Sequence, residues 1–345
     1  MNSSPRVSFR WIRAAGALTL PLVLASAVAY AAVTFPAQPV FTNAAQIQTA
    51  IKSFSSAMAK DGSVAFQDDS SVTGYLTAIT QNPNGDFGPD CLMSNFKTTF
   101  SPPTCSFGVT SSTKTVVVIG DSMAGEYVDP ISIIAKQRGW KVYAAAKPDC
   151  LIADATYKLA AIGNVEYTSC WTWRTALYNW IKTLHPYMII VVNAAYTQNT
   201  TPYASQGIAT AGQRLLSYLS PRVSSHLVYI VQPTALGNYG RSDAQCLAAS
   251  NLVVRVGSAS STTNCYRKFG EATSFYNVYS AAVKKAAKTL NPTWVDIISM
   301  FCDTTSATGY CPPVIDHSVV YRDQWHPSTA YLHRLSNVLA TKIPQ

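Results

Sequence analysis

TVVVIGDSMAGEYVDP, residues 115–130, opens on an unbroken β-branched run and halts at Gly120, Asp121 and Ser122. A strand without polar alternation has to be covered on both faces, which is the habit of a parallel sheet. The chain then repeats the rhythm, with further strand-like runs KVYAAA (141–146), YMIIVVN (187–193), HLVYIVQ (226–232) and TWVDIIS (293–299). Helical segments separate them: PISIIAKQRG, with Asp129 as N-cap and Pro130 in the first turn, then SCWTWRTALYNWIKTL, ASQGIATAGQRLLSYL and FYNVYSAAVKKAAKTL. Apolar strands alternating with helices predict an α/β domain over residues 115–345. It is a doubly wound parallel sheet whose sites form at the carboxyl ends of the strands.

Ser122 falls two residues past that first strand, where Gly120 permits a tight exit toward a helix. A serine there faces the space above the sheet, and its own N–H is available as an oxyanion donor. The same Gly-Asp-Ser also suits a plain helix cap. A nucleophilic serine needs a base, and the chain has five histidines. His185 precedes Pro186 at a helix end, His226 opens a strand and His333 sits in the final helix, so each reads as structural; His317, after Asp316, reads either way. His326 differs because Asp323 stands three residues before it and Pro327 and Ser328 follow at a helix start. A short Asp-x-x-His turn lets one carboxylate fix the ring's tautomer and support the charge that develops in proton transfer. A carboxylate and imidazole paired only for stability would look the same.

The full chain has 345 residues, 48% of them apolar, enough for a large buried core. Arg6, Arg10 and Arg13 precede the apolar run AAGALTLPLVLASAVA, which leads to the small-residue site Ala29-Tyr30-Ala31. That pattern predicts a secretory signal peptide, residues 1–31, cut after Ala31, and hence a periplasmic or secreted protein; an uncleaved anchor is the alternative. Its removal lowers the net charge from +9 to +6. The remaining cations are scattered, and the one cluster, Lys284, Lys285 and Lys288, reads as a solvated helix face, so no nucleic-acid partner is expected. The eight cysteines are even in number and form neither CxxC nor zinc-ligand spacing. No metal or other cofactor is implied. Their grouping favours bridges in chain order, Cys91 to Cys105, Cys150 to Cys170, Cys246 to Cys265 and Cys302 to Cys311, among roughly a hundred possible connectivities. Residues 32–114 break the α/β rhythm: a helical stretch AAQIQTAIKSFSSAMAK leads to the turn-rich QNPNGDFGPD and the Cys91–Cys105 loop. This part is expected to be an N-terminal extension packed on the α/β domain, with an independent small domain as the alternative.

The Gly-Asp-Ser after the first strand and the Asp-x-x-His before the last helix resemble the first and last blocks of the SGNH (GDSL-like) hydrolase superfamily. More closely, VVVIGDSMA, KPDC with Cys150, Cys170 and YRDQWHPS are similar to the periplasmic SGNH domains attached to acyltransferase-3 membrane proteins, over about residues 85–342. The resemblance implies a flavodoxin-like sheet, with Ser122 as nucleophile, His326 as general base and Asp323 as its orienting partner. Two departures stand out. Met123 follows the serine where that subfamily usually has histidine, and VVNAAY is not the superfamily's Gly-x-Asn-Asp block. Asn193 ends the third strand at the right place to join the Ser122 N–H in an oxyanion hole, or simply to cap the next loop.

The function this implies is an exported serine esterase or O-acyltransferase, acting on ester groups of a cell-envelope or extracellular glycan through an acyl-enzyme. A membrane acyltransferase is a possible partner. Tyrosines and tryptophans, among them Trp171, Trp173 and Trp325, suit sugar stacking, although most must serve the core. The competing reading is a catalytically silent protein that keeps the fold to bind glycan or to assist an acyltransferase.

Overall fold

The computed structural model describes residues 38–81, 98–100, 106–152, 158–159, 162–194, 226–232, 242–256, 264–270, 277, 280–281, 284, 292–305 and 309–345. In chain order its main elements are α1 (Ala44–Asp61), α2 (Ser70–Gln81), β1 (Ser106–Gly108), β2 (Thr115–Gly120), α3 (Ser122–Glu126), α4 (Val128–Arg138), β3 (Lys141–Ala146), α5 (Thr168–Leu184), β4 (Met188–Ala194), β5 (His226–Gln232), α6 (Asp243–Ala249), β6 (Thr293–Val295), α7 (Thr329–Arg334) and α8 (Ser336–Lys342).

One six-stranded sheet runs in the order β6-β5-β4-β2-β3-β1. All neighbours pair in parallel except β1, which closes the β3 edge antiparallel, with Phe107 opposite Val142. Taken alone, the five parallel strands follow the flavodoxin-like order 2-1-3-4-5, so the chain reverses direction across the sheet between β2 and β4. The two strands at that point are the most deeply buried. Val116–Ile119 and Met188–Val192 have no exposed surface, each side chain contributing on the order of 1.5–3 kcal/mol by burial. Gly120 is obligatory where they meet: a Cβ there would lie 1.8 Å from the Val192 carbonyl oxygen.

Among the described residues before Thr115, α1 and α2 contribute side chains to the buried cores. α1 is capped by Asn43, whose Oδ1 accepts from the Gln46 N–H, and it stops at Gly62 in the left-handed region. It buries one stripe, Ile47, Ile51, Phe54 and Met58. Ile47 and Ile51 join the main core, whereas Phe54 and Met58 join a second cluster with Val72, Tyr75 and the Cys246–Cys265 bridge. Disulfides also join Cys150 to Cys170 and Cys302 to Cys311, while Cys91 and Cys105 lie outside the described residues. So do the predicted helix over 204–219, most of that over 275–290, and residues 1–31. Lys284 is exposed and lies 5.8 Å from the Trp294 ring; Lys285 and Lys288 are beyond description.

Two boundaries differ from the sequence expectation. The predicted helix PISIIAKQRG, α4, begins at Val128, with Tyr127 in the capping position and no side-chain cap. Asp129 is inside its first turn and bonds His333 Nδ1 at 2.8 Å instead, because α3 runs into α4 with only Tyr127 between them. The last strand is shorter than TWVDIIS: it ends at Val295, and a 3-10 turn covers Ile298–Met300. Asp296 Oδ1 accepts the Ile298 N–H at 3.1 Å, a local turn that competes with the ladder.

Candidate active site

β2 delivers Ser122 to the carboxyl edge of the sheet at the reversal between β2 and β4. Asp121 makes the corner: its Oδ1 accepts the Met123 N–H at 2.8 Å, capping α3, while Oδ2 accepts the Ala194 N–H at 2.9 Å across the gap to β4. Ser122 is therefore the first residue of a helix whose start is pinned to two strands at once. Its N–H is one of the donors that helix geometry leaves without an intrahelical partner.

The other half comes from 204 residues further on. A bridge between Tyr321 and Pro327, the Arg322 N–H to the His326 carbonyl at 3.1 Å, and the Ser328 N–H to the Val320 carbonyl at 2.8 Å close a tight loop over 322–326. Asp323 organises the inside of that loop. Its Oδ1 accepts from the Trp325 and His326 N–H groups at 2.8 and 2.7 Å, and both carboxylate oxygens lie 2.8–2.9 Å from His326 Nδ1. His326 Nε2 is 2.8 Å from Ser122 Oγ. A carboxylate can only accept, so Nδ1 carries the ring proton and Nε2 is left to accept from the serine hydroxyl. Burial alone would raise the Asp323 carboxyl, but the His326 ring and the two backbone donors hold it well below the usual carboxylate range.

The structure thus brings Ser122, Asp323 and His326 into one hydrogen-bonded chain. The remaining histidines stay apart from it. His317 sits at the tip of a hairpin between Val314–Ile315 and Ser318–Val319, with positive φ, and its Nδ1 bonds Asp69 at 2.7 Å. His185 ends α5 in the left-handed conformation and His226 opens β5. Asn193 lies at the end of β4, fully buried: Tyr229 Oη is 3.4 Å from its Oδ1, and its Nδ2 has no hydrogen-bond partner among the described residues. Of the tryptophans, Trp173 is fully buried in the core, Trp325 is packed partly against it, and Trp171 is 53% exposed.

Three charged residues around the site were given no role by the sequence reading, although Lys147 opens KPDC and Arg322 lies within YRDQWHPS. Glu126 and Arg322 form a buried pair behind it. Lys147 follows β3, is fully buried 5.3 Å from the Tyr167 ring, and is pushed down to about 8 by that burial. The available signal was context: Glu126 is one acid in the otherwise uncharged run SMAGEYV, and Arg322 adjoins Asp323.

A model of the SGNH domain, described as fused to AT3 domains, matches residues 90–341. The chain belongs to this SGNH family. Among solved structures, the SGNH fold seen here is similar to one titled as the periplasmic domain of a lipopolysaccharide acetyltransferase from Salmonella ser. Paratyphi A, with a TM-score of 0.51 and 12% identity. The match covers 81% of this chain and 99% of that one, and it shows a shared fold. No curated protein matches the sequence. In other proteins the SGNH domain is joined to acyltransferase-3 domains; among the described residues here, no helix is long and apolar enough to cross a membrane. Nor does any group of three His, Cys, Asp or Glu among them have the arrangement of a metal site.

Proposed function

We propose that this SGNH protein is an exported serine esterase or O-acyltransferase that acts on ester groups of a cell-envelope or extracellular glycan. The observation that carries the reading is the 2.8 Å approach of His326 Nε2 to Ser122 Oγ, with Asp323 on the opposite ring nitrogen. In the proposed mechanism Ser122 Oγ attacks the ester carbonyl and gives its proton to Nε2. Asp323 holds the tautomer and stabilises the imidazolium. The Ser122 N–H and Nδ2 of Asn193, which has no partner among the described residues, are the proposed donors to the developing oxyanion. Collapse expels the alcohol, which takes the proton from His326 and leaves an acyl-serine. Water or a sugar hydroxyl, deprotonated by the same ring, then accepts the acyl group.

The family's association with acyltransferase-3 domains, and a neighbour titled as a lipopolysaccharide acetyltransferase domain, support the acyl-ester chemistry and the glycan class. They also support a membrane acyltransferase as partner. The signal-like N-terminus and the disulfides support export into an oxidising compartment. The test is intact-protein mass spectrometry after exposure to a fluorophosphonate probe. One adduct on the wild-type protein, located on Ser122 and absent from Ser122→Ala, is the expected result. An unlabelled wild-type protein that also fails to turn over p-nitrophenyl acetate would favour the silent binding reading.

A further inference from the structure

Glu126 ends α3, the short helix that begins with Ser122, and is 1% exposed. Arg322 immediately precedes Asp323 and is 5% exposed. They meet fork to fork: Arg322 Nη1 donates to Glu126 Oε2 at 2.8 Å and Nη2 to Oε1 at 2.6 Å. The Nε of the same guanidinium lies 3.4 Å from Asp323 Oδ2, and the Arg322 N–H donates to the His326 carbonyl. The guanidinium therefore touches both the serine's helix and the Asp323 carboxylate, and the backbone N–H of the same residue helps close the loop that carries the imidazole.

Stability does not explain such a pair. Desolvating two charges costs about as much as their attraction returns, and a well-packed apolar pair of similar volume is often as stable or more so. Position explains it better. The hydrogen bond from Ser122 to His326 joins segments 204 residues apart, and none of the three described disulfides includes either segment. A planar guanidinium held bidentately resists both sliding and rotation, which a single contact would not.

The geometry points to Glu126 and Arg322 as positioning residues for the Ser122 reaction, setting the spacing between α3 and the Asp323–His326 loop and holding the carboxylate in line with the ring. The inference rests on the proposed role of Ser122. Neither side chain touches the reacting atoms; both act through Asp323 and the loop. A nearby pair of similar span, Asp129 with His333, joins α4 to α7 with both side chains substantially exposed, and it provides a control.

The experiment measures the rate of fluorophosphonate labelling of Ser122, kcat and KM for p-nitrophenyl acetate, and the melting temperature. The proteins are wild type, Arg322→Lys, the double variant Glu126→Leu with Arg322→Met, and Asp129→Asn. A displacement of about 1 Å at a reacting pair costs on the order of 100-fold. Arg322→Lys and the double variant are therefore expected to label about 10- to 100-fold more slowly, with kcat reduced and KM unchanged. The double variant should melt near the wild-type temperature, and Asp129→Asn should label at the wild-type rate. Labelling within twofold of wild type by either Arg322→Lys or the double variant overturns the positioning role, leaving the pair as packing alone. A wild-type protein unlabelled at Ser122 refutes the reading of the site itself, and the positioning role falls with it.

Discussion

Replacing Asp323 by Asn tests the proposed chemistry while sparing the fold. The loop over 322–326 depends on Asp323 Oδ1, which accepts the Trp325 and His326 N–H groups. An asparagine Oδ1 can keep both bonds, so the loop should survive and the melting temperature should change little. The other side-chain atom is what differs. Where Oδ2 now faces Nδ1 of His326 at 2.8 Å, an amide NH2 would present a donor. Oδ1 also lies 2.9 Å from Nδ1 but already accepts the two loop N–H groups, so the new donor favours an acceptor at Nδ1, which moves the ring proton to Nε2, and Nε2 can then no longer take the proton of Ser122 Oγ. A wrong tautomer of this kind lowers turnover by about 10⁴-fold in a serine hydrolase, or about 5.5 kcal/mol at 1.36 kcal/mol per decade. Asp323→Ala should lose turnover too, and in addition leave two loop N–H groups unpaired at about 1–3 kcal/mol each. The assay is kcat for p-nitrophenyl acetate beside thermal melts of wild type, Asp323→Asn and Asp323→Ala. Asp323→Asn that folds normally and retains a tenth or more of wild-type kcat would refute the reasoning.

Gly120→Ala places a Cβ 1.8 Å from the Val192 carbonyl and should cost about 3 kcal/mol or more by forcing β2 and β4 apart, read as a lowered melting temperature. Removing the Cys150–Cys170 bridge by a double serine substitution should cost about 3 kcal/mol, the chain-entropy value for a loop of 20 residues, measured by denaturant unfolding. The buried Asp243 carboxyl is pushed up to about 7 by desolvation, against the pull of Arg267 3.8 Å away. The folded state then binds more protons at this group than the unfolded chain between about pH 4 and pH 7, so this contribution to stability is full at low pH and is lost as pH rises through that window. Asp243→Asn should flatten this part of the stability profile; an unchanged slope would show that the carboxyl is ionised throughout.

The parallel sheet was legible in the chain because a strand buried on both faces has to be apolar along its whole length, and VVVI, MIIVV and LVYIV cannot be anything half-solvated. The Asp323–His326 pairing was legible for a related reason. A contact closed within four residues depends on local turn geometry, so spacing alone reports it. The approach of His326 to Ser122 was expected only through family resemblance, since nothing local to either segment encodes a meeting across 204 residues. That meeting follows from the strand order, which puts the end of β2 at the sheet's reversal point, and from the chain returning there before α7. Boundaries were less legible, as at Asp129 and Asp296, where a side chain bonds a neighbour that periodicity does not register.

By itself, then, the sequence determined the five parallel strands, the helical stretches of α1, α4 and α5, which turn holds its own histidine, and, among the described residues, which cysteines lie close enough along the chain to bridge. These are properties of burial period and of short-range geometry. Only the tertiary structure decided that Glu126 and Arg322 meet, that Lys147 is buried at the sheet's edge, and that the Asn193 amide there has no partner among the described residues. A lone charge in an apolar run has the same local signature whether it is solvated or paired. What distinguishes the cases is the partner, and the partner is chosen by how distant segments pack.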